Sequence, residues 1–155
     1  MNNLLNWLLI VGMLICGYFI LTGKADASPK RYEVARSYIG LKEGTRSANR
    51  AMGVNTRSVP WCGYFIKATV QRTGGKVPAN YASGAGWTRY GRSVKLSQAS
   101  KGDIVTVYSK PARSKRHVGI YSHKSKGKVC LISGNSKNAV RVSCYAASKV
   151  RAIRR

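Results

Sequence analysis

From Trp7 to Leu21 the chain is an unbroken run of apolar residues, glycine and one tyrosine, extended backwards by Leu4 and Leu5. Residues 1–23 carry no charged side chain. A membrane-spanning helix needs about 20 apolar residues and a signal-peptide core about 7–15, and this run lies between the two. Ala25-Asp26-Ala27 has the small-x-small form of a signal cleavage site. Residues 1–27 are therefore expected to be either a cleaved export signal or an uncleaved anchor that enters the membrane through residues 4–21. No Lys or Arg precedes the run, while Lys24, Lys30 and Arg31 follow it, an arrangement that opposes moving the C-terminal side outward. A buried core helix is the plain alternative, but nothing polar breaks the segment into an amphipathic pattern.

After Ala27 the pattern becomes that of one folded domain, residues 28–155, within the usual span of about 100–200 residues. Ser28-Pro29 reads as a linker or as a helix start with Ser28 as cap. Val34, Ala35, Tyr38 and Leu41 form one stripe of a short helix over Arg31 to Leu41, punctuated by Gly40 and Gly44. Thr45 to Ser58 is polar without clear periodicity and reads as an ordered loop. A second helix is expected from Cys62 to Arg72, with Phe65, Ile66, Thr69 and Val70 as its apolar face and Gly74-Gly75 as its stop. Residues 76–100 read as loop, anchored by Trp87 and Tyr90. The period then shifts to strands: Ile104 to Tyr108, His117 to Ser122 with His117, Gly119 and Tyr121 on one face, and a hairpin of Val129 to Ser133 and Arg141 to Tyr145. Helices first and strands afterwards predict an α+β fold.

Charge narrows the chemistry. Lys and Arg number 28 against 4 Asp and Glu, for a net charge of +24. Residues 1–27 hold one base, Lys24, and one acid, Asp26, so the whole excess belongs to the domain. The hydrophobic fraction of 44% is too high for a disordered basic tail. Asp26, Glu33, Glu43 and Asp103 are the only carboxylate side chains, which speaks against oxygen-ligand metal cages and multi-carboxylate nuclease sites. Two histidines, His117 and His123, speak against a His-rich zinc centre, and no cofactor is expected. The positive field suits anionic partners: nucleic acid, phospholipid, lipopolysaccharide or a teichoic-acid-bearing wall. A basic surface serving only solubility is the plain alternative.

Cys62 is the sharpest candidate for chemistry. At the N-terminus of a helix after Pro60, free N–H groups and the helix dipole favour an anion, so its thiol pKa is expected to fall. A thiolate attacks carbonyls, and nearby N–H groups hold the developing oxyanion. A buried structural cysteine is the bland reading. Thiol catalysis needs a base distant in sequence, and His117 at a strand start fits, with Gly119 leaving room beside it. His117 as a satisfied surface or core histidine is its bland reading. His123 sits in a basic turn and is expected to face solvent. A third group should orient the imidazole through its other nitrogen. With no carboxylate side chain beyond Asp103, an amide or hydroxyl must do so, and Asn135 in Ser133-Gly134-Asn135 is the candidate. Its bland reading is a loop residue in the left-handed conformation.

Val59-Pro60-Trp61-Cys62-Gly63-Tyr64-Phe65, Lys101-Gly102-Asp103-Ile104-Val105, His117-Val118-Gly119-Ile120-Tyr121 and Ser133-Gly134-Asn135 resemble, in order and spacing, the motifs of the CHAP and NlpC/P60 cysteine peptidases. The likeness is closer to a small phage and bacterial subfamily with a Trp-Cys motif, whose opening helix the stretch from Ala35 to Gly44 also resembles. The resemblance covers most of residues 31–155. It implies a papain-like fold, in which the helix carrying the cysteine packs on an antiparallel sheet carrying the histidine. It implies hydrolysis of amide bonds in peptidoglycan, as an endopeptidase or N-acetylmuramoyl-L-alanine amidase. Residue by residue it implies Cys62 as nucleophile, His117 as base and Asn135 as orienting group. Many CHAP relatives carry Glu two residues before that Asn, where this chain has Ser133.

The expectation is thus a cysteine hydrolase of peptidoglycan, exported or membrane-tethered, in phage lysis or bacterial wall remodelling. Its place would be the periplasm, cell wall, extracellular space or virion. The alternative from another class is a basic, membrane-tethered nucleic-acid-binding protein, with Trp61, Trp87 and the tyrosines stacking on bases. A lysozyme-type glycosidase would need two carboxylates flanking its substrate from among Glu33, Glu43 and Asp103. Cys130 and Cys144 are equidistant from Lys137 and would face each other in a hairpin turning there, as a disulfide or as two packed thiols.

Overall fold

The computed structural model describes residues 27–110 and 115–155. The apolar run lies outside the described residues. Among those described, no helix is long and apolar enough to cross a membrane.

Helix α1 spans Ala27–Ser37. It starts earlier than the apolar stripe suggested, so Ser28 lies inside its first turn. It also stops earlier, because Gly40 takes a left-handed φ of 95° and the chain turns. Tyr38 nevertheless stays buried, meeting Phe65 edge-on at 6.2 Å. Helix α2, Arg46–Met52, occupies the stretch expected to be a loop. Its ends were written in the sequence: Thr45 caps the Ala48 N–H, and Gly53 closes it at a φ of 67°. One short turn of apolar positions, Ala48 and Met52, is too little periodicity to reveal it. Helix α3 is Cys62–Arg72, as expected, with Phe65, Ile66, Thr69 and Val70 buried. In the segment 76–100 two short 3₁₀ turns form, Gly84–Arg89 and Leu96–Gln98. Trp87 is fully buried there and donates from Nε1 to the Tyr81 carbonyl at 2.8 Å.

The strands are β1 (Ile104–Tyr108), β2 (Arg116–Ser125), β3 (Lys128–Ser133), β4 (Arg141–Ala146) and β5 (Val150–Arg154). They form one five-stranded sheet in the order β4-β3-β2-β1-β5, with every neighbouring pair antiparallel. The α+β expectation therefore holds. Strand β5 was not anticipated, because Arg151 and Arg154 interrupt its apolar residues. Pairing with β1 recruits it, Ile153 opposite Val105. Arg155 then locks it through the fully buried Asp103 carboxylate, at 2.7 and 2.9 Å.

Both faces of the sheet are covered. Ile104, Val118, Ile120 and Ile132 pack on α3 through Phe65, Ile66 and Trp61, while Val105, Val107, Tyr121, Val129, Leu131 and Ile153 form a second cluster. Two-sided burial explains why Ile104 to Val107 and Val129 to Ile132 read as nearly continuous apolar runs rather than alternating ones. A bulge between Tyr121 and His123 breaks the alternation in β2, and His123 faces solvent as expected.

Candidate active site

The site is built where α3 begins, where β2 begins and where β3 turns into β4. Pro60 and the fully buried Trp61 lead into α3, so Cys62 is its first residue. Trp61 is held by its Nε1, which donates to the Glu43 carboxylate at 3.0 Å. The neighbouring segment also fixes the β3–β4 loop. Val140 N–H donates to the Leu41 carbonyl at 2.9 Å, and Glu43 N–H donates to the Asn138 carbonyl at 2.8 Å. Gly134 lies flat against α3: a Cβ there would stand 2.7 Å from both Phe65 Cβ and the Trp61 ring. The stretch that carries Asn135 is therefore clamped to the helix that carries Cys62. Gly63 allows a second close approach, since a Cβ would collide with the Tyr81 carbonyl oxygen.

Cys62, His117 and Asn135 all line one cleft of about 850 Å³. The sequence placed them 55 and 18 residues apart, and the fold brings them together. Asn135 has the left-handed backbone of its bland reading, with φ 56°, and still lines the cleft. Arg116, Lys137 and the hydroxyl-bearing Tyr64, Ser83, Ser136 and Tyr145 share the lining, and none of the lining residues is an acid. Of the carboxylates proposed for a glycosidase, Glu33 pairs with Arg36 at the surface, Glu43 holds Trp61 and Asp103 holds Arg155. No two of them flank the cleft.

The expected fall in the Cys62 pKa is not what the structure gives. Burial pushes the thiol up, against smaller downward pulls from the backbone at Val118, Gly63 and Cys62 itself. The helix N-terminus is present, but the thiol beside it is too dry for the dipole to prevail. Cys62 is a free thiol. His117 is buried as well, and burial lowers its pKa to about 4. Its Nε2 has no hydrogen-bond partner among the described residues. At neutral pH the resting pair is a thiol and a neutral imidazole.

Tyr145 was missed by sequence reasoning. Its ring centroid lies 6.0 Å from that of His117, tilted by 37°. Burial raises its phenol pKa, while the nearby Ser136 and Ser133 hydroxyls act in the opposite sense. Its strand parity with Ser143 was readable, but the direction of that face was not. Cys130 and Cys144 lie directly opposite in the β3–β4 ladder and form a disulfide. The hairpin does turn about Lys137.

Among the described residues three α-helices and one five-stranded antiparallel sheet set Cys62 and His117 on a common cleft, in a fold like that of the NlpC/P60 domains. Solved structures bear out that fold. Rv1477 of Mycobacterium tuberculosis, a hypothetical invasion protein, superposes with a TM-score of 0.55 at 20% identity, covering 83% of this chain and 61% of its own. The peptidoglycan hydrolase RipB of the same organism gives 0.54 at 20% identity, covering 83% of this chain and 64% of its own. RipD, a non-catalytic NlpC/P60 domain protein adapted to peptidoglycan binding, gives 0.52 at 20% identity, covering 84% of this chain and 97% of its own. The chain thus spans less than two thirds of the length of the first two. No protein-family model matches the sequence, and no curated protein sequence matches it.

Proposed function

We propose that this protein is a cysteine hydrolase that cuts an amide bond of peptidoglycan. The observation that carries the reading is the cleft itself: the first residue of α3, a free cysteine, shares it with the histidine at the start of β2. The likeness to a peptidoglycan hydrolase and to a peptidoglycan-binding protein of the same fold supports the substrate.

In this reading the substrate carbonyl enters the cleft and His117 takes the Cys62 proton as sulfur attacks. Backbone N–H groups at the start of α3 receive the oxyanion. The imidazolium then protonates the leaving amine, and a thioester remains. Water attacks that thioester with His117 as base and releases the carboxylic acid and the thiol. Asn135 contributes an amide to the same cleft as the third polar group. An endopeptidase and an N-acetylmuramoyl-L-alanine amidase would share every step. The role would be phage lysis or wall remodelling, with residues 1–27 as export signal or anchor. The basic surface would hold the enzyme on anionic envelope polymers or lipids, by contacts that salt weakens.

The test is the full chain, wild type and Cys62→Ala, incubated with purified sacculi, with mass spectrometry of the soluble products. New amines from the wild type alone support the thiol mechanism and identify the bond. Tight binding without release by either form would mean a peptidoglycan-binding domain. No affinity for sacculi, with salt-sensitive binding to DNA or RNA, would favour the nucleic-acid-binding alternative.

A further inference from the structure

The cleft has no acid with which to steer its histidine. None of its lining residues is Asp or Glu, and His117 Nε2 is buried without a hydrogen-bond partner among the described residues. What lies against the imidazole is Tyr145, with ring centroids 6.0 Å apart. The Ser136 and Ser133 hydroxyls act on the phenol, lowering its pKa against the rise from burial. Ser136 Oγ is itself tied to Ser143 Oγ at 2.7 Å, whereas Ser133 Oγ is buried and completes no hydrogen bond. Gly119 lets β3 lie close against β2, because a Cβ there would meet Leu131 Cβ at 2.8 Å, the Ile132 carbonyl oxygen at 2.9 Å and Ser133 Cβ at 3.1 Å.

We propose that Tyr145 is the positioning residue of His117. Its ring holds the imidazole plane, and the Ser133 and Ser136 side chains near the phenol keep the ring in place. This rests on the thiol reading above and adds a member that acts through His117 rather than on substrate. The other titratable groups on the cleft are Cys62, Tyr64, Tyr145 and the cations Arg116 and Lys137. Removing the phenol therefore changes the setting of the base without deleting a charge.

The experiment uses Tyr145→Phe, Tyr145→Leu and the double variant Ser133→Ala with Ser136→Ala, each in the full chain. Turnover on sacculi is one readout. The other is the pH dependence of Cys62 alkylation by iodoacetamide, with His117→Ala as reference. A well-placed general base contributes about 100-fold or more, so Tyr145→Leu should lower kcat by about that factor with KM within about twofold. Its alkylation profile should lose the same inflection that His117→Ala loses. Tyr145→Phe keeps the ring and should lose only several-fold. The double serine variant should match it, and combining the two should cost nothing further.

Tyr145→Leu with wild-type kcat and inflection, or with a loss in KM alone, overturns the proposal. Losses that multiply when Tyr145→Phe is combined with the serine variant overturn the hydroxyl tie. If Tyr145→Leu fails to fold by circular dichroism, the comparison of Tyr145→Phe with the serine variant still decides. If wild type releases nothing from sacculi while its alkylation profile depends on Tyr145, the positioning stands and the peptidoglycan reading fails.

Discussion

Removing the Cys130–Cys144 disulfide should cost about 3 kcal/mol, and the figure follows from the size of the loop it closes. The two cysteines are 14 residues apart. Cross-linking a loop of about 15 residues removes chain entropy from the unfolded state worth about 3 kcal/mol at 25 °C. For a domain of this size each kcal/mol is worth roughly 3–5 °C in Tm, so the double variant Cys130→Ala, Cys144→Ala should melt about 10 °C lower. Burial works beside entropy at one end, since Cys130 is fully buried and Cys144 is exposed at the sheet edge. The exposed Cys144 lets a soluble dithiol approach the bond, so reduction of the wild type should reproduce the shift. Cys62 is free and contributes nothing to it. Because β4 is an edge strand, its amides should exchange fastest after reduction. Tyr145 follows Cys144 directly, so turnover should fall with the loosened strand. Thermal unfolding by circular dichroism, with and without reductant, measures the first effect. A shift below about 2 °C would show that the crosslink barely constrains the unfolded chain, and the loop-entropy reasoning would be wrong.

Three further outcomes are expected. His117 has a folded-state pKa of about 4 against the usual 6.5, so the unfolded chain binds its proton first as pH falls. Its contribution is fully present above pH 6.5 and is lost between pH 6.5 and 4, about 3 kcal/mol in all. Urea unfolding at pH 7 and 4.5 should show a slope that His117→Gln flattens; equal slopes in the two proteins would rule it out. Glu43→Ala strips the acceptor from Trp61 Nε1 and should cost about 1–3 kcal/mol in stability while turnover persists. Complete loss of activity in a folded Glu43→Ala protein would revive the glycosidase reading. Arg155→Ala removes the Arg155 guanidinium from the fully buried Asp103 carboxylate and should cost about 3–5 kcal/mol, read by the same denaturant titration.

The legible parts of the fold were those whose side chains repeat. Helix α3 and four of the strands carry enough apolar residues at helical or strand spacing to be read directly. Helix α2 carries only Ala48 and Met52 as buried residues, so Thr45 and Gly53 were its only strong signals. Strand β5 depends on β1 for its pairing and on Asp103 for its anchor, and neither partner is local. The same division runs through the site. Cys62 and His117 stood out because few residue types do thiol chemistry. Tyr145 is one of 9 tyrosines, and only the folded chain brings its ring to 6.0 Å from that of His117.

The thiol pKa shows where a local rule yields to its surroundings. A helix N-terminus stabilises an anion by about 0.3–1 kcal/mol at an exposed site and up to about 2 when partly buried. Taking a charge into a dry interior costs several kcal/mol. Cys62 is both at the N-terminus and buried, and the larger effect wins, so the thiol is raised rather than lowered. The same burial strips His117 of its proton. Burial disfavours either charge alone, but a proton passing from sulfur to imidazole creates both charges at once, in the same cleft. Their mutual attraction is strongest in the dry site that penalises them singly. The order of events follows: proton transfer belongs to the attack on a bound carbonyl, and the free enzyme carries little thiolate. The Cys62 thiol should therefore react sluggishly with small alkylating agents at neutral pH. Rapid alkylation there, at the rate of a preformed thiolate, would show that burial does not control this pair.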